Sequence, residues 1–300
     1  MQVTYDGAHS LLIGGLDGVH TWNDWHLIPT QRPAIAPPEV HKNSVEVPGM
    51  NGIIDMTDIL LGYPTYGQRT GNIDFYVDHT APDWDWDTAY DTILNYMHGK
   101  RTKLVLTDSP SFYYEGRLSV NTWKSDKMCS TITLDYDLDP FKLMQWSTTD
   151  HWEWNPFDFQ HGIIIDRDQF IKLMSAGDTR APETGNFSLP YGTAGTQPVV
   201  PIIRVTVYGS FDLERTNAQG GMKFWYKTQN GPATSLNFAD ADEVTYTPTV
   251  TTFAFLTPNL VIGSPDPNYI FYYNFDCHPV TSEDIALPWT YALEFTPRRL

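Results

Sequence analysis

The feature that most restricts this chain is a period of two. In residues 131–138, Ile132, Leu134, Tyr136 and Leu138 alternate with Thr131, Thr133, Asp135 and Asp137. Successive side chains of a strand point to opposite faces, so this pattern predicts a half-buried β-strand. A helix would repeat its apolar residues every three or four positions. Shorter stretches of the same kind occupy 44–47, 71–77, 103–106 and 113–120. In the second half, strands are predicted at 202–208, 222–227, 244–247, 251–256, 270–275 and 291–295. Turn sequences such as Asn230-Gly231-Pro232 and Ser264-Pro265-Asp266-Pro267 separate them, the spacing of an all-β sandwich or jelly roll. Residues 176–201, rich in Gly, Pro and Thr, read as a long loop.

One helix stands out in the first half. Trp86, Tyr90, Ile93, Leu94 and Met97 fall on a single apolar stripe. Pro82 stands near its start, and Asp83, Asp85 and Asp87 suit the positive end of the helix dipole. Gly99, between His98 and Lys100, is a plausible terminator. A lone amphipathic helix among strands is expected to pack on a sheet. A short turn is expected near 56–62.

Three hundred residues suit two domains, with the boundary expected in the Asp139-Pro140 to Gln145 stretch, giving 1–143 and 144–300. A chain of this length buries about three quarters of its unfolded surface and needs no staple. The hydrophobic share of 41% against 18% charged describes a folded chain. The net charge is −17, spread evenly: residues 1–145 hold 10 Lys/Arg against 19 Asp/Glu, −9, and residues 146–300 hold 9 against 17, −8. The densest basic run is Lys100, Arg101 and Lys103, which excludes a nucleic-acid-gripping surface. No apolar run approaches 18 residues, and Met1 to Asp6 lack a signal-peptide start, so neither export nor membrane insertion is expected.

A search for chemistry returns nothing. Cys129 and Cys277 lie 148 positions apart with no CxxC; a disulfide between them stays open, and free thiols fit a reducing cytoplasm. Asp83-Trp84-Asp85-Trp86-Asp87 opens like a calcium loop but has Thr88 at position six and Leu94 at position twelve, where Gly and Glu belong. His151 and His161 have no zinc-type partners. Phosphate loops and nucleophile signatures are absent, and no carboxylate pair stands out. No enzyme activity, metal or cofactor is expected. Trp146, Trp152 and Trp154, with Phe157 and Phe159, form a candidate sugar or partner platform; the same rings also suit an interdomain seam or a subunit interface.

Ordered elements in the first half resemble a known family. They are Thr21-Trp22-Asn23-Asp24-Trp25-His26-Leu27-Ile28-Pro29 running on through Pro37-Pro38, then Val45-Glu46-Val47-Pro48-Gly49, then Leu61-Gly62-Tyr63-Pro64-Thr65-Tyr66-Gly67-Gln68-Arg69-Thr70-Gly71. His98-Gly99-Lys100, Tyr113-Tyr114-Glu115-Gly116-Arg117-Leu118 and Ile132 to Lys142 follow. In this order they resemble the distal tail proteins of long non-contractile-tailed phages, over residues 19–143. In the second half, only Tyr291 to Phe295 looks like that family's closing strand.

The resemblance implies a mostly β chain. It would have an N-terminal sandwich or split-barrel ring domain with one amphipathic helix, and a galectin-like or jelly-roll C-terminal sandwich on the periphery. It implies a structural hub at the virion tail tip, made in the host cytoplasm. Six copies would form a ring joining the tail tube to the tip or tail-associated proteins, with receptor-binding proteins as further partners, and DNA would leave through the centre without sequence-specific binding. The competing reading is a carbohydrate-binding adhesin acting through the C-terminal sandwich. Trp22, Trp25, Tyr63 and Tyr66 are candidate subunit-interface anchors, with core packing as the rival role for each.

Overall fold

The computed structural model describes residues 7–57, 63–78, 86–125, 130–145, 171–174, 183–187, 195–219, 221–228, 234–256, 262 and 271–300. The chain divides into two compact units, one ending at Gln145 and including Leu300, the other running from Trp146 to Arg299. Both are built from β-strands, as the alternating sequence requires.

The first unit contains β1 (Leu11–Ile13), β2 (Val19–His20), β3 (Leu27–Pro29), β4 (Ser44–Val45), β5 (Ile54–Asp55), β6 (Arg69–Val77), α1 (Trp86–Met97), β7 (Arg101–Leu106), β8 (Phe112–Lys124), β9 (Ser130–Leu138) and β10 (Lys142–Met144). Its main sheet runs β2-β1-β7-β8-β9-β6-β3, with β10 paired to the start of β8. The strand with the cleanest alternation lies in its interior: β9 pairs with β6 from Arg69↔Leu138 to Val77↔Ser130, and with β8 on its other side. Ile132, Leu134, Tyr136 and Leu138 are buried as the period of two predicts. β8 takes up one extra residue between Val120 and Thr122, a bulge that bends this long strand.

The sheet curls, and Thr21 joins its two ends. Thr21 is fully buried. Its amide donates to the Leu11 carbonyl at 2.9 Å, and its carbonyl accepts from the Leu27 amide at 2.9 Å. Helix α1 covers the apolar side: Ile93 and Met97 are buried with Leu11, Ile13, Leu104 and Leu118. The Tyr90 ring lies 4.3 Å from Trp123, and the Tyr96 hydroxyl donates to the Ile13 carbonyl at 2.9 Å. Gly99 has φ +72°, the left-handed conformation of a helix terminator, and its amide donates to the Leu118 carbonyl. The expected helix is therefore present and sits on a sheet; Pro82, Asp83 and Asp85 lie outside the described residues.

The second unit contains β11 (Ile171–Met174), β12 (Glu183–Phe187), β13 (Ile202–Tyr208), α2 (Leu213–Ala218), β14 (Met222–Thr228), β15 (Thr234–Leu236), β16 (Glu243–Tyr246), β17 (Val250–Leu256), β18 (Phe271–Cys277) and β19 (Trp289–Glu294). They form a five-stranded sheet, β11-β19-β13-β17-β16, and a four-stranded sheet, β12-β18-β14-β15. The chain shuttles between the sheets, so most neighbours are distant in sequence; β13 pairs with β19 from Ile202↔Glu294 to Val207↔Trp289. One face of the five-stranded sheet buries Ile203, Val205, Val207, Phe253, Phe255, Trp289, Tyr291 and Leu293, and Cys277 from the other sheet shares that core. The bidentate contact of Arg204 with Glu294, at 2.8 and 3.1 Å, ties β13 to β19.

One expectation needs correction. Residues 176–201 are not one long loop, because Glu183–Phe187 pairs in register with Phe271–Phe275. Its sequence, Glu-Thr-Gly-Asn-Phe, has no apolar alternation to announce it; the neighbouring strand supplies the ladder.

Candidate assembly surfaces

Two surfaces of the first unit are unlike an ordinary solvated exterior. The first is an arm. Pro33 and Pro38 are buried against the body, and the chain then departs from it. At the root, Val40 bridges to Tyr66, the His41 amide donates to the Thr65 carbonyl and the Gly67 amide to the Glu39 carbonyl. Beyond the root is a narrow ribbon. Ser44 pairs with Asp55 and Val45 with Ile54, and the tip turns through Gly49 and Gly52, both at positive φ. Thr57 braces the base of the ribbon: its hydroxyl accepts from the Asn43 amide at 3.2 Å, and its amide and hydroxyl donate to Asp55. Those two bonds hold the Asp55 carboxyl below the usual carboxylate range.

The arm is apolar where it should be polar. Every residue from Glu39 to Asp55 is exposed, among them Val40, Val45, Val47, Met50, Ile53 and Ile54, from 40% to 60%. Val45 and Ile54 face each other on one side of the ribbon. Fully covering a Val- or Ile-sized side chain is worth roughly 1.5–3 kcal/mol. Six half-exposed ones leave several kcal/mol unrealised in the isolated chain. A two-stranded ribbon has little stability of its own, and clustered exposed apolar groups mark interaction surfaces.

The second surface is the outward face of β6, β8 and β9. It carries Thr70, Asn72, Asp74 and Tyr76, then Thr131, Thr133, Asp135 and Asp137, then Arg117 and Ser119. The register sets Asp74 beside Thr133, Asn72 beside Asp135, and Asp137 between Thr70 and Arg117. The Thr133 hydroxyl donates to Asp74 at 2.6 Å. This is a sheet face of polar groups, three carboxylates and the Arg117 guanidinium, with one large ring, Tyr76, at its end.

The anchors expected from sequence fall in different places. Trp25 is 6% exposed and packs edge-to-face with Tyr96 at 5.5 Å, inside the first unit's core. Trp22 is half-buried, its ring edge-on to His26 at 5.7 Å. Tyr63 and Tyr66 are half-buried on the returning root of the arm, where Tyr66 meets Phe141 edge-to-face at 5.8 Å. Trp146, Trp152 and Trp154 lie outside the described residues. In sequence Val45 and Val47 read as strand residues, and nothing in their own pattern marks them or Val40, Met50, Ile53 and Ile54 as exposed. The signal available was two glycines in a Pro-rich segment, leaving room for only a two-residue ladder.

Among the described residues, no group of three or more His, Cys, Asp and Glu side chains converges as a metal site would, and no helix is long and apolar enough to cross a membrane. Asp108 holds two partners: His9 Nδ1 lies 2.7 Å from Oδ2, and Arg32 Nε donates to the same oxygen at 2.8 Å. Burial alone would raise the Asp108 carboxyl, but these two partners outweigh it and hold it below the usual range.

No family model matches the chain, and no curated protein does. Among solved structures it is similar to the crystal structure of the SPP1 Dit (gp 19.1) protein, described as a paradigm of the hub adsorption apparatus in Gram-positive infecting phages. The two are 11% identical, the similarity covers 98% of this chain and 100% of that chain, and the TM-score is 0.44.

Proposed function

We propose that this chain is a structural hub protein of a phage tail. Its first unit would form a closed ring of six copies at the tail tip, between the tail tube and the tip or tail-associated proteins. The observation that carries this reading is the arm. An apolar ribbon that its own chain leaves uncovered is suited to lie on an identical neighbour, and a head-to-tail contact of that kind generates a ring when its rotation closes. The number six and the place in the tail come from the resemblance of residues 19–143 to distal tail proteins.

The polar face of β6, β8 and β9 supports the passage of DNA. A channel for DNA must not hold it; on this face Asp74, Asp135 and Asp137 outnumber Arg117 and repel phosphate. With −9 on residues 1–145, six copies place roughly fifty negative charges around the ring. The second unit is the peripheral part and a seat for receptor-binding proteins. Tyr63 and Tyr66 at the arm's root, and Trp22, remain our candidate interface rings; Trp25 contributes from within the core that supports them.

The test is the oligomeric state of the purified full chain. Negative-stain images are expected to show six-fold rings, with a mass near six times the 34.2 kDa chain. A folded species that stays monomeric at micromolar concentration would refute the ring.

A further inference from the structure

The arm has two roots, and both are fixed to one corner of the body. On the outgoing root, Ala36 is held from two sides: its amide donates to the Tyr136 hydroxyl at 2.9 Å, and its carbonyl accepts from Arg69 Nη1 at 2.8 Å. Arg69 Nε reaches the Pro140 carbonyl at 2.7 Å. On the returning root, Tyr66 packs against Phe141, the residue after Pro140. Arg69 and Tyr136 come from strands that pair with each other, at Arg69↔Leu138 and Gly71↔Tyr136.

Three details show that this corner is built for direction rather than for packing. Arg69 is 5% exposed, and its contacts are the two carbonyls and the face of Tyr114, 5.5 Å from the ring centroid. A buried guanidinium is expensive to desolvate, and an apolar side chain would fill the space at lower cost. An apolar side chain could not hold two carbonyls at set angles, which the rigid guanidinium fork does. Gly71 supplies the second detail: a Cβ there would lie 2.4 Å from the Tyr136 hydroxyl oxygen and 2.7 Å from Cζ, so the ring reaches Ala36 because position 71 has no side chain. The third is the fragility of the arm itself, whose own ladder is two residue pairs long.

We infer that Arg69 and Tyr136 form a mount that sets the angle at which the arm leaves the body, so that it meets a second copy of this chain in the orientation a closed ring needs. This rests on the ring reading above. The leverage is geometric. From Val40 to Gly49 the arm extends at most roughly 30 Å, so a tilt of about 10° at the root moves the tip by about 5 Å, one strand spacing. A heterologous interface tilted by that much gives open arcs instead of closed rings. Arg69 and Tyr136 are thus positioning residues: they sit in the body and act through the arm.

The experiment uses the full chain and two variants, Arg69→Met and Tyr136→Phe. Hydrogen exchange at residues 39–41 and 65–67 is expected to speed up about tenfold or more in each, while the β6–β9 ladder stays within about twofold of the parent. In negative stain, closed rings should fall by about fivefold or more, replaced by arcs and single copies. Unchanged exchange at the root, together with an unchanged ring fraction, overturns the mount. If Arg69→Met does not fold, Tyr136→Phe decides, since it removes a single oxygen and keeps the ring in its core position. A parent chain that forms no rings refutes the ring reading instead, and root exchange still judges the mount.

Discussion

Thr21 and Leu11 hold each other twice. The Thr21 amide donates to the Leu11 carbonyl at 2.9 Å, and the Leu11 amide donates back to the Thr21 hydroxyl at 3.0 Å. With the Thr21 carbonyl taking the Leu27 amide, this one residue joins the two ends of the first unit's sheet. Thr21→Val keeps the shape but strands the buried Leu11 amide, for an expected loss of about 1–3 kcal/mol. Thr21→Ser keeps the acceptor and should lose clearly less. Denaturant unfolding of the two variants beside the parent gives the comparison; equal midpoints for Val and parent would contradict it.

The arm separates assembly from folding. Val45 and Ile54 are each 44% exposed, so Val45→Lys with Ile54→Lys should change the stability of a single copy by no more than about 0.5 kcal/mol. The same pair of charges would have to be buried at a neighbour's surface, and the rings should disappear. Mass photometry and a thermal melt on one sample read both quantities. Rings that persist at parental abundance would move the interface elsewhere.

Charge on the sheet face should govern contact with DNA. Parent rings are expected not to bind duplex DNA. Replacing Asp74, Asp135 and Asp137 by Lys turns three repulsive groups per copy into attractive ones. Binding should then appear at about 50 mM salt and weaken steeply by about 200 mM, because it proceeds by counterion release. Fluorescence anisotropy with a labelled duplex checks this, and a triple variant as inert as the parent would remove these residues from the channel wall.

Asp108 gives the first unit a sensitivity to acid. Its carboxyl titrates below the usual carboxylate range in the folded chain, because His9 and Arg32 favour its charged form. A depressed folded value means that the contribution is complete above the unfolded value, near 4, and fades as pH falls through the lower, folded one. A pair this close to the surface is worth on the order of 0–1 kcal/mol. Asp108→Asn should therefore lower stability slightly at pH 7, by an amount that shrinks as the pH falls below about 4. Chemical unfolding across this range tests the sign.

The long strands were legible because their faces differ locally. Ile132 to Leu138 need a buried side and a wet side wherever they sit, and alternation records that requirement. The α1 stripe from Trp86 to Met97 works the same way at its own period. β12 was not legible: Glu183 to Phe187 has no alternation, and the ladder with Phe271 to Phe275 makes it a strand.

The candidate surfaces divide along the same line. The polar face of β6 and β9 could be read from Thr131, Thr133, Asp135 and Asp137, because a period of two assigns them to one side. The valines of the arm have the same pattern as a core strand. Whether Val45 is covered depends on which part of the chain lies above it, and no short window of sequence contains that information. Arg69 shows the limit most plainly. Its bonds reach Ala36 and Pro140, 33 and 71 positions away, and its neighbour Gly71 is small because Tyr136 crosses it. By itself the sequence determined the long alternating strands and helix α1, since those depend on neighbours along the chain. The tertiary structure decided which apolar residues are left bare and which cation is buried, since those depend on neighbours in space.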